Sequence, residues 1–291
     1  MMVDTAGRLA NQHAGEWVVP FRTTGGRLPL FCVCAGGGDT LDYRDLALAL
    51  PEDQPVYGFG MPPSMAGNGF PTVEQLAAVY IEEVRRRQPR GPYRLCGHSF
   101  GGIVVYEMAV QLAVAGQDVG LVALIDTLHP RFKRNLSPVD RMRFRMSYTA
   151  NRGGKYARNL AAGRIDRIAR NGFDYVWHRS KRAAWKLARS LSGRLARPLP
   201  GAVQSHEMVL VSAWHLYDPG PYAGRLTLLN AAGRPPEYRV DRTLGWGRCA
   251  TGVLDIQVVP GDHYTIMHPP HVRVLAERLV PNLTVSAPDE R

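Results

Sequence analysis

The pentapeptide GHSFG at residues 97–101 constrains the fold of this chain more than any other feature of the sequence. It matches the pattern G-x-S-x-G, and it stands between an apolar run at 93–96 and a helical pattern at 101–115. In this pattern the serine lies on a sharp turn from strand to helix, and the flanking glycines let the strand and the helix approach closely. The motif therefore predicts an α/β fold in which Ser99 is exposed at the edge of a sheet and acts as a nucleophile.

Strand and helix patterns alternate on both sides of this motif. Predicted strands cover residues 28–35, 55–59, 93–96, 121–125, 226–229 and 254–259, and predicted helices cover 72–87, 101–115 and 271–279. Strands that alternate with helices of about ten to fifteen residues are typical of βαβ units. We therefore predict one α/β domain with a mostly parallel central sheet that is flanked by helices.

A helical and basic segment interrupts the alternation between residues 130 and 225. Residues 131–197 hold nineteen lysines and arginines but three acidic residues, so they carry +16 whereas the whole chain carries +11. Within them, residues 173–191 have the periodicity of an amphipathic helix. A helical insertion between sheet strands is placed to cover the carboxyl ends of the strands. Its charge fits either long-range attraction of an acidic partner or phosphate, or a solvated surface.

His263 is the predicted general base. A serine hydroxyl is a poor nucleophile until a base takes its proton. His263 ends the block PGDH, which follows the last predicted strand and precedes the predicted helix 271–279, so it would lie on a loop at the carboxyl edge of the sheet. His268 and His271 are alternatives, but the two prolines between them indicate that they belong to the start of that helix.

Asp126 is the predicted acid that orients the imidazole. It directly follows the predicted strand 121–125, and a right-handed crossover places this strand beside the one that leads to Ser99. Asp241 is the alternative, because it follows the next strand along the chain. We favour Asp126 because it adjoins a clean strand pattern, and a carboxylate there would hold the imidazole tautomer and stabilise the imidazolium.

An oxyanion hole is the remaining requirement of this chemistry. One donor should be the backbone N–H of Phe100, the residue after the nucleophile. The second should come from the glycine-rich loop 36–38, where we favour Gly36 and keep Gly37 as an alternative. A phosphate cradle is a weaker interpretation of this loop, because neither G-x-x-x-x-G-K-[ST] nor G-x-G-x-x-G is present there.

Several blocks of the sequence together resemble the thioesterase domains of nonribosomal peptide synthetases and polyketide synthases, including stand-alone thioesterases. The resemblance runs from about residue 21 to 279 through PLFCVCAGGG, GPYRLCGHSFGGIVVYEMA, VGLVALIDT, LGWG and VPGDHYTIM. It implies an α/β-hydrolase fold over residues 21–280 with a helical lid at about 128–204. Residues 1–20 would then be an N-terminal extension and residues 281–291 a C-terminal tail.

The resemblance also implies a function and a catalytic triad of Ser99, His263 and Asp126. It implies release of an acyl, peptidyl or polyketide chain from a phosphopantetheine thioester, by hydrolysis or cyclisation through an acyl-enzyme on Ser99. The donor would be an acyl or peptidyl carrier protein or an acyl-CoA-like thioester, and the chain itself would need no cofactor and no metal. One departure is that Cys34 and Ala35 stand where family members often have His-Pro.

Two other functions remain as alternatives. One is an esterase or acyltransferase that acts on oxygen esters, and the other is a catalytically silent hydrolase fold that binds an acyl ligand or a partner. Nucleic acid is not an expected partner, because no recognised nucleic-acid fold accompanies the basic residues. Residues 1–20 lack a signal-peptide pattern, and the sequence contains no run of eighteen apolar residues. The four cysteines include no CxxC pair. We therefore expect a cytoplasmic protein without a transmembrane segment.

Overall fold

A computed structural model describes residues 17–62, 71–162, 210 and 213–283. Within these ranges seven strands form one sheet in the order β1-β3-β2-β4-β5-β6-β7. The strands are β1 Val18–Arg22, β2 Leu30–Val33, β3 Val56–Phe59, β4 Tyr93–His98, β5 Val119–Ile125, β6 Leu226–Ala231 and β7 Leu254–Val259. β1 runs antiparallel to β3, and the other neighbouring strands pair in parallel. The predicted α/β fold with a mostly parallel sheet is confirmed.

Helices cover both faces of this sheet. They are α1 Asp42–Ala49, α2 Val73–Arg87, α3 Phe100–Val114, α4 Phe132–Asn135, α5 Pro138–Ala161 and α6 His271–Leu283. Side chains of α2 and α3 pack on one face in a first apolar cluster, and side chains of α1 and α6 pack on the other face in a second. Because both faces are covered, the central strands β2 and β4 are buried at every position, which explains why their sequences are apolar runs without alternation.

Two elements were not predicted, and two boundaries differ from the prediction. The strand β1 has five residues and contains a proline, and the helix α1 has eight residues that mix charged with apolar side chains, so neither is recognised by period alone. β1 begins at Val18, before the predicted domain start at residue 21, because its backbone pairs with β3. α6 continues to the buried Leu283, past the predicted domain end at residue 280, because its apolar stripe still packs on the sheet.

The chain leaves the sheet between β5 and β6, as the basic segment predicted. The helices α4 and α5 occupy the first part of the predicted lid 128–204, and α5 starts where the Ser137 hydroxyl accepts a hydrogen bond from the backbone N–H of Asp140. Phe132 and Phe144 pack there against Tyr238, which belongs to the loop after β6. The later part of the predicted lid, including the amphipathic stretch 173–191, lies outside the described residues.

A membrane-spanning helix was searched for in the described ranges of the chain. None of the helices found there combines the length and the apolar character needed to cross a bilayer.

The strand β4 and the helix α3 approach so closely that only glycine fits between them. A Cβ atom on Gly97 would lie 2.3 Å from the carbonyl carbon and oxygen of Gly101, and a Cβ on Gly101 would lie 2.1 Å from the carbonyl oxygen of Val33. Since these neighbours are backbone atoms, they cannot move aside without distorting the sheet. The glycines of the pentapeptide are therefore required by packing.

We expect Gly97→Ala to lower the free energy of unfolding by about 1–3 kcal/mol or more, because an overpacked site must shift backbone. Gly153→Ala is the matched control. Gly153 lies in α5, where an added Cβ would meet nothing within 4 Å, so alanine should raise helix stability by about 0.5–1 kcal/mol. Urea unfolding followed by circular dichroism measures both. Equal stability of the two variants would contradict the close approach of β4 and α3.

Candidate active site

Ser99 occupies the turn from β4 into α3. Its φ of 55° and ψ of −117° are unusual for a residue other than glycine, and strained backbone of this kind concentrates at functional sites. Tyr43 supports the turn through two hydrogen bonds. Its hydroxyl donates to the carbonyl of Val33 at 2.6 Å and accepts from the backbone N–H of His98 at 2.8 Å. The result is a partly exposed serine on a rigid support.

Asp126 and His263 come together although they are 137 residues apart in the sequence. Asp126 directly follows β5 and is fully buried, and its Oδ2 lies 2.6 Å from Nδ1 of His263. Because a carboxylate only accepts hydrogen bonds, Nδ1 carries the proton and donates it. The other ring nitrogen, Nε2, is then the one that can take a proton from a nucleophile.

One cavity of about 570 Å³ joins these residues to Ser99. Ser99, Asp126 and His263 all line it. The remaining wall is largely apolar or aromatic and includes Phe100, Ile103, Leu128, Trp214, Tyr238 and Tyr264. The structure therefore places the three predicted triad residues around a single space that has room for a substrate chain.

The alternatives to Asp126 and His263 are engaged elsewhere. Both carboxylate oxygens of Asp241 accept hydrogen bonds in its own turn, from the backbone N–H and hydroxyl of Thr243 and from the backbone N–H of Gly245. His268 faces α1, where its ring nitrogens lie 3.4 Å and 3.8 Å from two aspartates. His271 is the first residue of α6, as its neighbouring prolines indicated.

The predicted oxyanion donors lie at the same edge of the sheet. Phe100 is the first residue of α3 and lines the cavity, so its N–H is at the amino end of a helix, where positive potential favours an anion. Gly36 lies in the loop after β2, the strand next to β4, but outside the set of residues that form the cavity wall. An added Cβ on Gly36 or Gly37 would meet nothing within 4 Å. The second donor therefore stays a prediction.

Arg234 is a member of the site that the sequence interpretation missed. It follows β6, lines the cavity, and keeps 12% of its side chain exposed. Its Nε donates to Oδ1 of Asp126 at 2.9 Å, and its Nη2 lies 2.7 Å from Oδ2. Burial alone would raise the pKa of Asp126, but the hydrogen bond from His263 and the charge of Arg234 outweigh burial and hold this pKa below its ordinary value. The available signal was weak: Arg234 stands three residues after β6, the strand next to β5, but Arg239 and Arg242 follow it closely.

His98 also contacts the loop that carries His263. Its Nε2 lies 3.0 Å from the carbonyl oxygen of His263, so it donates to the backbone of the residue whose side chain meets Asp126. Burial, together with the nearby imidazole of His263, lowers the pKa of His98 to about 4. His98 is therefore neutral at physiological pH and supports the loop that carries His263.

The tryptophan of the LGWG block has a structural role. Trp246 is fully buried, and its Nε1 donates to the carbonyl of Thr127 at 2.9 Å, directly after Asp126. Gly245 before it has a φ of 90°, a conformation that favours glycine. This block therefore braces the chain where it leaves the sheet.

Comparisons with known proteins agree with these observations. Residues 28–142 match the family model of the thioesterase domain. Malpinin synthetase from Mortierella alpina is 39% identical over 127 residues, which are 43% of this chain and 2% of that protein. Atromentin synthetase invA5 from Paxillus involutus is 26% identical over 270 residues, which are 90% of this chain and 28% of that protein. The chain thus spans less than a third of the length of either relative.

The fold has a counterpart among solved structures. The NocB thioesterase domain, solved as a covalent complex with a fluorophosphonate nocardicin G analogue, superposes with a TM-score of 0.57 at 24% identity, covering 92% of this chain and 99% of that one. The predicted α/β-hydrolase fold is confirmed. The predicted resemblance is confirmed as well, because a probable nonribosomal peptide synthetase from Salinispora arenicola is 39% identical over 127 residues, which are 43% of this chain and 2% of that protein. This chain is similar to the thioesterase domains of nonribosomal peptide synthetases, in sequence most clearly over residues 28–142 and in fold over 92% of its length.

Proposed function

We propose that this chain releases an acyl, peptidyl or polyketide chain from a phosphopantetheine thioester through an acyl-enzyme on Ser99. The observation that carries this proposal is the hydrogen bond of 2.6 Å between His263 and the buried Asp126, in the same cavity as a serine on a strained turn. The match to the thioesterase domain family supports the thioester as the bond that is cleaved.

The acylation step follows from the arrangement of the triad. Nε2 of His263 takes the hydroxyl proton of Ser99 while Oγ attacks the thioester carbonyl, and the backbone N–H groups of Phe100 and Gly36 would hold the oxyanion of the tetrahedral intermediate. The intermediate then collapses, the C–S bond breaks, and His263 returns its proton to the departing thiolate. A thiol has a pKa of about 8.5, so its departure needs less help from an acid than that of an alkoxide or amine.

Deacylation reuses the same groups. Water or a nucleophile within the acyl chain attacks the ester on Ser99, His263 takes its proton, and the proton passes to Oγ as the product leaves. Throughout, Asp126 stabilises the imidazolium and keeps Nδ1 as the donor. Hydrolysis and cyclisation therefore share every catalytic residue, so the triad does not choose between them.

The substrate would arrive on a carrier. The two relatives, a malpinin synthetase and an atromentin synthetase, extend far beyond the length of this chain, and the chain matches the thioesterase domain family. Both findings support a carrier-bound thioester as donor. The phosphopantetheine then belongs to the carrier, and the proposed chemistry uses side chains and backbone N–H groups of this chain without a cofactor or metal of its own. The basic residues of α4 and α5 lie in the first part of the predicted lid. Their positive charge would attract an acidic carrier.

Intact mass spectrometry with a panel of acyl-pantetheine thioesters and matched oxygen esters tests this function. We expect an acyl mass on Ser99 with the thioesters, and a kcat/KM for thioesters at least about tenfold above that for the oxygen esters, because the thiolate leaves more readily. Faster acylation by oxygen esters would instead indicate an esterase or acyltransferase. Absence of any adduct in folded protein, including with a fluorophosphonate, would favour the silent binding protein.

A further inference from the structure

We propose that Arg234 is a positioning residue for the Asp126–His263 pair: its guanidinium holds the carboxylate of Asp126 in the orientation that presents Oδ2 to His263. This inference rests on the proposed function, since it assigns a role within the same site. It concerns a residue that the catalytic steps above do not use.

The contacts of Asp126 show how this orientation is held. Its Oδ1 accepts from the backbone N–H of Ala231 at 3.0 Å and from Nε of Arg234 at 2.9 Å. Its Oδ2 lies 2.6 Å from Nδ1 of His263 and 2.7 Å from Nη2 of Arg234. Oδ1 thus accepts two hydrogen bonds, and Oδ2 accepts one while it lies within ion-pair distance of Arg234. Rotation of the carboxylate about its C–C bond would break the hydrogen bonds to Oδ1 and is therefore opposed.

Arg234 also donates a hydrogen bond to the backbone of Asp126. Asp126 has a φ of 44°, which a side chain other than glycine rarely adopts, and the carbonyl oxygen of Asp126 accepts from Nη2 of Arg234 at 2.7 Å. The guanidinium therefore spans the side chain and the carbonyl of one residue. A lysine has a single nitrogen and cannot make all of these contacts at once.

The guanidinium of Arg234 is itself held by packing on an aromatic ring. Its guanidinium lies 5.5 Å from the centre of the Tyr238 ring, and Tyr238 packs against Phe132 and Phe144 of the lid. Through Tyr238, Arg234 is thereby linked to α4 and α5. Arg234 combines an ion pair with aromatic packing, so it is held more firmly than a surface arginine would be.

The charge of Arg234 also acts on Asp126 itself. Burial raises the pKa of Asp126, but the hydrogen bond from His263 and the charge of Arg234 outweigh burial and lower this pKa. Arg234 therefore favours the carboxylate form, which is the form that can accept a hydrogen bond from Nδ1 of His263.

Arg234→Met removes both the hydrogen-bond donors and the charge, whereas Arg234→Lys removes the guanidinium but keeps the charge. For Arg234→Met we expect kcat/KM to fall about 10- to 100-fold, mainly through kcat, because a misplaced base slows proton transfer more than it weakens binding. Arg234→Lys keeps the charge but has a single nitrogen, so kcat should remain reduced more than about fivefold.

The experiment measures acyl-pantetheine turnover and the rate of fluorophosphonate labelling of Ser99 from pH 5 to 9, with circular dichroism of every variant. Arg239→Met is the control, because Arg239 lies five residues further along and reaches the carbonyl of Ala232 rather than Asp126, so we expect wild-type rates. Wild-type kcat in Arg234→Met, or full recovery in Arg234→Lys, would overturn the positioning role. Should Arg234→Met not fold, Arg234→Lys carries the same prediction for kcat. If the wild type itself is not labelled at Ser99, the proposed function fails instead.

Discussion

Ser99→Ala is expected to lower kcat for thioester release by about a millionfold, the largest effect that any single substitution in this chain should have. Alanine removes the oxygen that would carry the acyl group but keeps the backbone of the turn, so the fold should survive. A remaining acceleration of about 10³- to 10⁴-fold over the uncatalysed reaction would reflect binding and the oxyanion donors alone. Single-turnover kinetics together with intact mass after fluorophosphonate treatment measure both the rate and the loss of the covalent adduct.

Ser137→Ala is the matched control for this substitution. Ser137 caps α5 through its hydroxyl and does not line the cavity, so its replacement should cost about 1 kcal/mol of stability and leave kcat unchanged. Persistence of the covalent adduct in Ser99→Ala would mean that another residue is the nucleophile.

Asp126→Asn is expected to lower kcat about 10⁴-fold. The carboxylate of Asp126 accepts from His263, Arg234 and Ala231, whereas an amide offers one oxygen and turns its own N–H groups toward these donors. The imidazole then loses the partner that selects its tautomer. The buried guanidinium also loses its counter-charge, so the free energy of unfolding should fall by about 3–5 kcal/mol. Steady-state kinetics and urea unfolding measure the two effects.

Asp241→Asn provides the comparison, because Asp241 is the alternative acid and accepts hydrogen bonds only within its own turn among the contacts described for it. We expect kcat within a few-fold of the wild type, with a modest loss of stability. A large fall of kcat in Asp241→Asn and a small one in Asp126→Asn would reverse the assignment of the acid.

Local patterns in the sequence were enough to predict the centre of the fold. β4, the turn at Ser99 and α3 follow from one pentapeptide with an apolar run before it and a helical pattern after it. β1 and α1 could not be predicted in this way, because what stabilises them is pairing and packing with distant elements: β1 with β3, and α1 with α6. Tyr43 of α1 shows the consequence, since its contacts with β2 and β4 support the turn that carries Ser99.

The sequence by itself determined which residues could take part in the chemistry, because each of them is marked by a local feature. These features are a glycine-flanked serine between a strand and a helix, a histidine after the last strand, and an aspartate directly after β5. The tertiary structure alone shows that Asp126 lies against the imidazole of His263, whereas Asp241 accepts hydrogen bonds in its own turn. It also revealed Arg234. A buried carboxylate needs counter-charge and hydrogen-bond donors, and the residue that supplies them lies 108 positions away, where spacing along the chain carries no information.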